Sequence, residues 1–469
     1  MANGERIITI SPTTNKPLVE VFSPTEPKLN QILESSQRAF KSFSKTHDLK
    51  SRQSIVKKAL EILESKKDVL ARELTEQMGR PIAYTAKEIL TSISRGEYML
   101  KISDECLSDT PGEAEPGFKR YIRKEPIGPV LVILAWNFPY LILVCSLIPS
   151  ILAGNTVILK PSPQTPTVAD QIQSVFLEAG LPPDVITVFQ SGSWSLLERA
   201  IKSPMVKLIN FTGSYQGGIA VQTAASERIV PVFLELGGKD AAYVRADADI
   251  DWTADQLVDG STFNSGQSCC SVERVYVHES IYEKFVEAVK KVLAGYKLGD
   301  PFDPTTQIGP VISKASKKNI EAHIEEAIRA GAVDATPENE TFKNPPPDGN
   351  FVKPTLLLNV NHSMKIMTEE TFGPVIPIMA VKNDEEAMKL INDSEYGLTG
   401  SIWTNDLERG EELALAIDAG TGFVNRAEFP SRDLAWTGWK NSGKGVTLGR
   451  FGFDQFVLLK SVHIKTPPS

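Results

Sequence analysis

The chain is 469 residues long, 41% hydrophobic and 23% charged, with a net charge of −8. This balance predicts a globular protein of more than one domain and excludes a basic nucleic-acid-binding surface. Four cysteines, at 106, 145, 269 and 270, are too few for a disulfide framework, and no CxxC or paired-His spacing suggests a metal. A reducing compartment, the cytoplasm, is expected.

The amino terminus MANGERIITI lacks a basic region followed by a long apolar run, so no signal peptide is expected. Residues 127–159 are mostly apolar. Pro129, Asn137, Pro139, Pro149 and Asn155 interrupt them, which favours buried strand, loop and helix over a membrane span.

Residues 27–43 place Leu29, Ile32, Leu33 and Phe40 at helical spacing. Residues 52–78 do the same with Ile55, Ala59, Ile62, Leu63, Leu70, Leu74 and Met78, before Gly79 and Pro81 end the helix. Both helices are expected to pad a sheet, with their charges in solvent. Residues 110–117 are a Pro/Gly/Glu-rich boundary. FKRYIR at 118–123 then alternates as an exposed strand does; with the alternating tail 456–465 it predicts an arm that pairs between subunits.

Residues 130–134, an apolar helical stretch to Ala153, and NTVILK at 155–160 make a βαβ unit. Ligands of such parallel sheets bind beyond the carboxyl ends of the strands, where Asn137 and Lys160 stand. Singly, each has a plainer role: a turn Asn bonds its own backbone, and a Lys is a solvated charge. A helix at 167–179 and strands at 185–189 and 207–211 lead to Thr212-Gly213-Ser214, ahead of helical residues 217–225. The glycine lets backbone N–H groups approach a pyrophosphate, or simply caps the helix. The Gly-x-Gly-x-x-Gly fingerprint is absent.

Glu235 ends a short strand and opens ELGGK. It is either a general base whose pKa burial has raised or a surface partner of Lys239. Cys269, in FNSGQSCC, is a candidate thiolate nucleophile, although a free Cys more often just packs.

Asn137 in WNFP, Lys160 in KPSPQTP, FTGS at 211–214, ELGGK at 235–239, GQSC ending at Cys269 and EETFGP at 369–374 come in order over essentially the whole chain. Together they resemble the NAD(P)-dependent aldehyde dehydrogenase superfamily. The resemblance implies an α/β fold with a Rossmann-type cofactor-binding domain (1–112 and 125–234) and an α/β catalytic domain (235–452). It also implies an oligomerisation β-arm (113–124 and 453–469), hence a homodimer or a dimer of dimers.

The same resemblance implies NAD(P)+ as cofactor and no metal. Trp136, Lys160, Ser162, Pro163, Phe211, Gly213 and Ser214 would hold it, with Glu235, Leu236, Gly237, Glu370 and Phe372. Cys269 would attack the aldehyde carbon. The oxyanion would rest on the Asn137 amide and the Cys269 N–H, each worth roughly 3–4 kcal/mol in such sites. Glu235 would then activate water to release the acid from the thioester.

Departures from the family pattern bear on specificity. Pro163 stands where many NAD-using members carry a ribose-binding Glu, which leaves NAD against NADP open. Cys145-Ser146 and Val446-Thr447 replace a Trp-Lys and an Arg-Glu that commonly serve proton exit. A substrate tunnel lined by Tyr140, Ile142, Cys145, Ser268, Cys270, Phe429 and Trp436 is expected to take a bulky hydrophobic or aromatic aldehyde. Arg426 and Arg432 keep a carboxylated semialdehyde as a rival, unless both merely pin their loop. Two rivals come from other functional classes. One is a non-catalytic relative that keeps the fold without turnover; the other is an esterase that uses Cys269 and Glu235 without redox chemistry.

Overall fold

The computed structural model describes residues 4–467. Met1–Asn3 and Pro468–Ser469, the outer ends of the expected first domain and of the arm, lie outside the described residues.

Two sheets organise the chain. The first runs, in spatial order, Gly443–Lys444, Val232–Glu235, Leu208–Thr212, Pro129–Ile133, Thr156–Lys160, Ile186–Val188. All pairings are parallel except that of Gly443–Lys444, as the βαβ pattern predicts. Chain order reverses on either side of Pro129–Ile133, so a ligand crevice opens at the carboxyl ends of that strand and of Leu208–Thr212. The second sheet has seven strands, ordered Val333–Asp334, Thr355–Leu358, Val375–Val381, Val272–His278, Asp240–Val244, Thr399–Trp403, Thr421–Val424. Four residues carry the chain from Glu235, ending a strand of the first sheet, to Asp240, opening one of the second. The carboxyl edge of one sheet therefore faces the entering loops of the other.

Val130, Leu131, Val157, Ile158 and Leu159 are fully buried, because helices cover both faces of the sheet. Burying each such side chain contributes roughly 1.5–3 kcal/mol. The crossover helix Pro139–Ala153 is apolar all round and is packed by the helices Leu49–Ser65 and Ile82–Leu107. Among the described residues no helix is long and apolar enough to cross a membrane.

One expectation needs correction, and two gain detail. The helical pattern over 52–78 divides at Lys66 into Leu49–Ser65 and Lys67–Met78, although neither Gly nor Pro marks the break. The two segments of the expected arm pair with each other, Phe118–Pro126 antiparallel with Val457–Lys465, and Val457–Lys465 is left at one edge of the three-stranded sheet. Within the segment 235–452, Gly443–Lys444 returns to the first sheet and pairs antiparallel with Leu234 and Glu235. Gly443 permits that approach: at φ +131 its added Cβ would lie 2.0 Å from the Leu234 carbonyl oxygen.

The helix Ile82–Leu107, absent from the expectations above, matters most for the site. Gly96 draws it against Leu60; an added Cβ would meet the Leu60 side chain at 2.8 Å. That contact fixes the helix so that Tyr84, Lys87, Glu88, Thr91 and Arg95 line the cavity between the sheets.

Candidate active site

A cavity of about 670 Å³ lies between the two sheets. Asn137, Glu235 and Cys269 all line it, with Trp136, Gly213, Ser214, Leu236, Gly237, Glu370 and Phe372 on one side and Ile142, Cys145, Ser268, Cys270, Phe429 and Trp436 on the other.

Cys269 is the one partly exposed thiol of the four. Its loop is built from three successive left-handed residues, Asn264 (φ +53), Ser265 (φ +58) and Gly266 (φ +70). The two non-glycine residues store strain of order 1–3 kcal/mol each. Only glycine fits at 266, where a Cβ would sit 2.1 Å from the Gly373 oxygen. The neighbouring Cys270 thiol is pushed well above its ordinary value by its hydrogen bond to Cys269 and by burial, which keeps it a neutral neighbour.

Asn137 is buried, and its Nδ2 donates to the Gln267 carbonyl across 3.3 Å. The second N–H of that amide remains for an oxyanion. Arg80 holds the surrounding backbone: its guanidinium donates to the Asn137 carbonyl, to Asn264 Oδ1 and to Glu88. Glu88 in turn accepts from the N–H of Tyr140 at 2.9 Å, at the start of the crossover helix. This buried Arg–Glu pair escaped the sequence reading; the signal available was a charge caught between Gly79 and Pro81.

Glu235 lies at the end of its strand, with Thr447 Oγ1 donating to Oε1 at 2.7 Å. Burial raises its pKa, while the hydroxyls of Thr447 and Thr212 and the charge of Arg95 pull it back. The alternative partner Lys239 is engaged elsewhere, in a buried pair with Glu273 at 2.6 Å. Glu273 also accepts the N–H groups of Thr371 and Phe372, at 2.8 Å each. It thereby fixes the loop carrying Glu370 and Phe372. Glu370 is pushed up to about 8, by burial first and by the Glu273 charge second. Its carboxylate takes the Gly238 N–H at 3.0 Å, and a Cβ on Gly237 would collide with it at 2.2 Å. Phe372 meets Trp136 edge to face, with ring centroids 5.6 Å apart.

Several expected cofactor residues lie off the cavity wall. Lys160, at its strand end, is lowered to about 8 by burial. Ser162 caps Gln164, and the Pro163 carbonyl accepts the Thr9 hydroxyl at 2.7 Å. Phe211 is turned onto Gly213 and Gly217 and does not line the cavity: a Cβ there would meet its ring at 2.6 and 2.7 Å. Ser214 lines the cavity and caps the helix Tyr215–Ala225 through Gly217, so both of its expected roles are compatible.

Tyr140 is a correction. It is 1% exposed and absent from the wall, because Leu141, Ile142 and Cys145 take the cavity-facing side of the helix and Tyr140 points into the core. Arg426 and Arg432 are also off the wall: the first stacks 3.6 Å above the Phe429 ring, and the second bonds Ser94. Both pin the loop. The charged residues that do line the substrate side, Lys87, Arg95 and Glu428, were missed; the first two recur at helical spacing with Tyr84, Glu88 and Thr91. Glu428 has φ +53 and is raised to about 8 by burial, against a hydrogen bond from Ser268.

The glycine-lined approach at Gly213 and Gly237, flanked by Trp136, Phe372 and Glu370, fits a flat ring and a ribose beside Cys269.

The Aldehyde dehydrogenase family model matches residues 1–462. Retinaldehyde dehydrogenase 3 of Mus musculus is 34% identical over 469 residues, spanning 99% of this chain and 90% of that protein. Betaine aldehyde dehydrogenase from Staphylococcus aureus, solved in complex with NAD+, superposes with a TM-score of 0.93 at 28% identity, covering 99% of this chain and 92% of that one. An E. coli NADP dependent enzyme gives the same TM-score of 0.93 at 27% identity, over 98% and 95% of the two chains.

Proposed function

This chain belongs to the aldehyde dehydrogenase family and is an NAD(P)-dependent aldehyde dehydrogenase; within that activity we propose that its substrate is a bulky, largely apolar aldehyde. The observation that supports this is the wall formed by Leu141, Ile142, Cys145, Phe429 and Trp436, in which a small thiol stands between larger apolar groups in a cavity of about 670 Å³.

Cys269 Sγ attacks the aldehyde carbon, and the developing oxyanion takes the spare Asn137 N–H and the Cys269 N–H. A nicotinamide cofactor, when bound, would supply the hydride acceptor. Trp136 and Phe372 would orient its ring, Glu370 would hold the adjoining ribose, and Lys160 with Ser162 its far end. Glu235, held by Thr447, then takes a proton from the water that cleaves the Cys269 thioester. With a Pro at 163 no carboxylate at that place repels a 2′-phosphate, so both NAD and NADP are accepted in this reading. Four free thiols favour a reducing cytoplasm, and the outer strand Val457–Lys465, with Leu458 and Leu459 exposed, favours a homo-oligomer built through the arm.

The test is reduced-cofactor formation with NAD and NADP in parallel, against small, long-chain, aromatic and carboxylated aldehydes, with Cys269→Ala as blank. A preference for acetaldehyde over larger aldehydes would sink the bulky-substrate reading.

A further inference from the structure

We propose that Arg95 binds an anionic group, a carboxylate, at the far end of the aldehyde. The proposal rests on the substrate-pocket reading and deepens it. Arg95 lies on the helix Ile82–Leu107, is 7% exposed and lines the cavity shared with Cys145, Glu235 and Cys269. Among the described residues it has no carboxylate within salt-bridge reach. Nη1 donates to the Cys145 sulfur at 3.3 Å, a weak acceptor, and Nη2 to the Pro430 carbonyl at 3.3 Å. Nε is buried with no partner at all.

A buried charge is ordinarily paired, because desolvation without a counter-charge is expensive. None of the carboxylates on the wall is in contact with Arg95. Glu88 is committed to Arg80 and to the N–H of Tyr140. Glu370 belongs to the opposite side, bonded to Gly238. Glu235 feels the Arg95 charge but lies beyond salt-bridge distance and is bonded to Thr447, and Glu428 accepts from Ser268. Raised to about 8, Glu428 is a neutral acid at pH 7 and can itself donate. Lys87 sits over the Tyr84 ring at 5.5 Å. The substrate end of the cavity thus offers a guanidinium, an uncharged carboxyl and an ammonium, and it repels a cationic tail. The unpartnered Nε–H and the remaining Nη hydrogens make up the planar fork that takes a carboxylate bidentately.

A competing role for Arg95 is to act only on Glu235, whose pKa its charge lowers. Matched aldehydes separate the two: para-carboxybenzaldehyde against para-methylbenzaldehyde, and adipic semialdehyde against hexanal. The wild-type enzyme with its cofactor is expected to favour the carboxylated member of at least one pair. Arg95→Met is expected to lower the ratio of the two kcat/KM values roughly 100-fold, chiefly through KM, as loss of a buried charge pair does. Arg95→Lys, which keeps the charge and loses the fork, is expected to fall in between and serves if the Met variant fails to fold. Neutral members preferred by the wild type, or an unchanged ratio with a shifted acidic limb in both substrates' pH profiles, would overturn the proposal. Oxidation of neutral aldehydes alone defeats this inference and leaves the dehydrogenase standing; silence with every aldehyde and both cofactors defeats both.

Discussion

The Thr447 hydroxyl donates to Glu235 Oε1 across 2.7 Å, joining residues 212 positions apart. Thr447 is itself held by two backbone bonds to Trp436, at 2.7 and 2.9 Å, so Glu235, the proposed general base, is steadied by a wall of the cavity. The family pattern has a glutamate here; this chain substitutes a hydroxyl, which favours the ionised form of Glu235 without competing for its proton.

Thr447→Val should therefore raise the Glu235 pKa further. Glu235 works as the carboxylate, and activity falls as pH drops through its pKa. The acidic limb of kcat should move upward by about one pH unit or less, the scale of one hydrogen bond. A limb that stays in place would show that this bond does not govern the base.

Glu235→Gln should leave acylation intact and stall thioester hydrolysis. Rapid mixing should show a burst of about one equivalent of reduced cofactor, followed by turnover slowed roughly 10²–10⁴-fold. Cys269→Ala should give no burst.

Glu273→Ala breaks the buried pair with Lys239 and removes the acceptor for Thr371 and Phe372 N–H. Denaturant unfolding should show a loss of about 3–5 kcal/mol. The KM for cofactor should rise, since Glu370 and Phe372 lose their support. Glu273→Gln, which keeps an acceptor, should raise that KM less.

Glu428 titrates near 4.5 when unfolded and at about 8 when folded. Between those values the folded chain holds the extra proton, so this group's contribution is full below the unfolded pKa and is lost as pH rises through about 8, at about 1.4 kcal/mol per pH unit. Glu428→Gln removes that slope. Its melting temperature relative to the parent should climb from pH 6 to pH 8, and a constant difference would rule the buried acid out.

Lys160, lowered to about 8 by burial alone, carries its charge below that pH. If it faces the 2′-phosphate, kcat/KM for NADP should decline as pH rises through about 8 while that for NAD holds. Parallel pH profiles for the two cofactors would remove Lys160 from phosphate recognition.

Sequence order alone determined the parallel first sheet, because β-branched runs such as Val130 to Ile133 and Val157 to Leu159 bury on both faces and alternate with helical stretches. Motif order also brought Asn137, Glu235 and Cys269 together as candidates, through the resemblance of WNFP, ELGGK and GQSC to one family. Tertiary structure decided which groups stand around them. Tyr140 turned into the core while Cys145 turned out of it, a matter of helical phase against neighbours that periodicity within one helix leaves undefined. Arg95 lines the cavity, which Arg426 and Arg432 do not, because a close approach at Gly96 sets its helix. The arm strand found its partner at Val457–Lys465 within its own chain, a pairing of residues more than 300 positions apart that alternation along either strand cannot choose. Local pattern reports which surfaces each segment must bury; only the packed chain decides against what, because burial and charge pairing are satisfied between segments that sequence spacing does not relate.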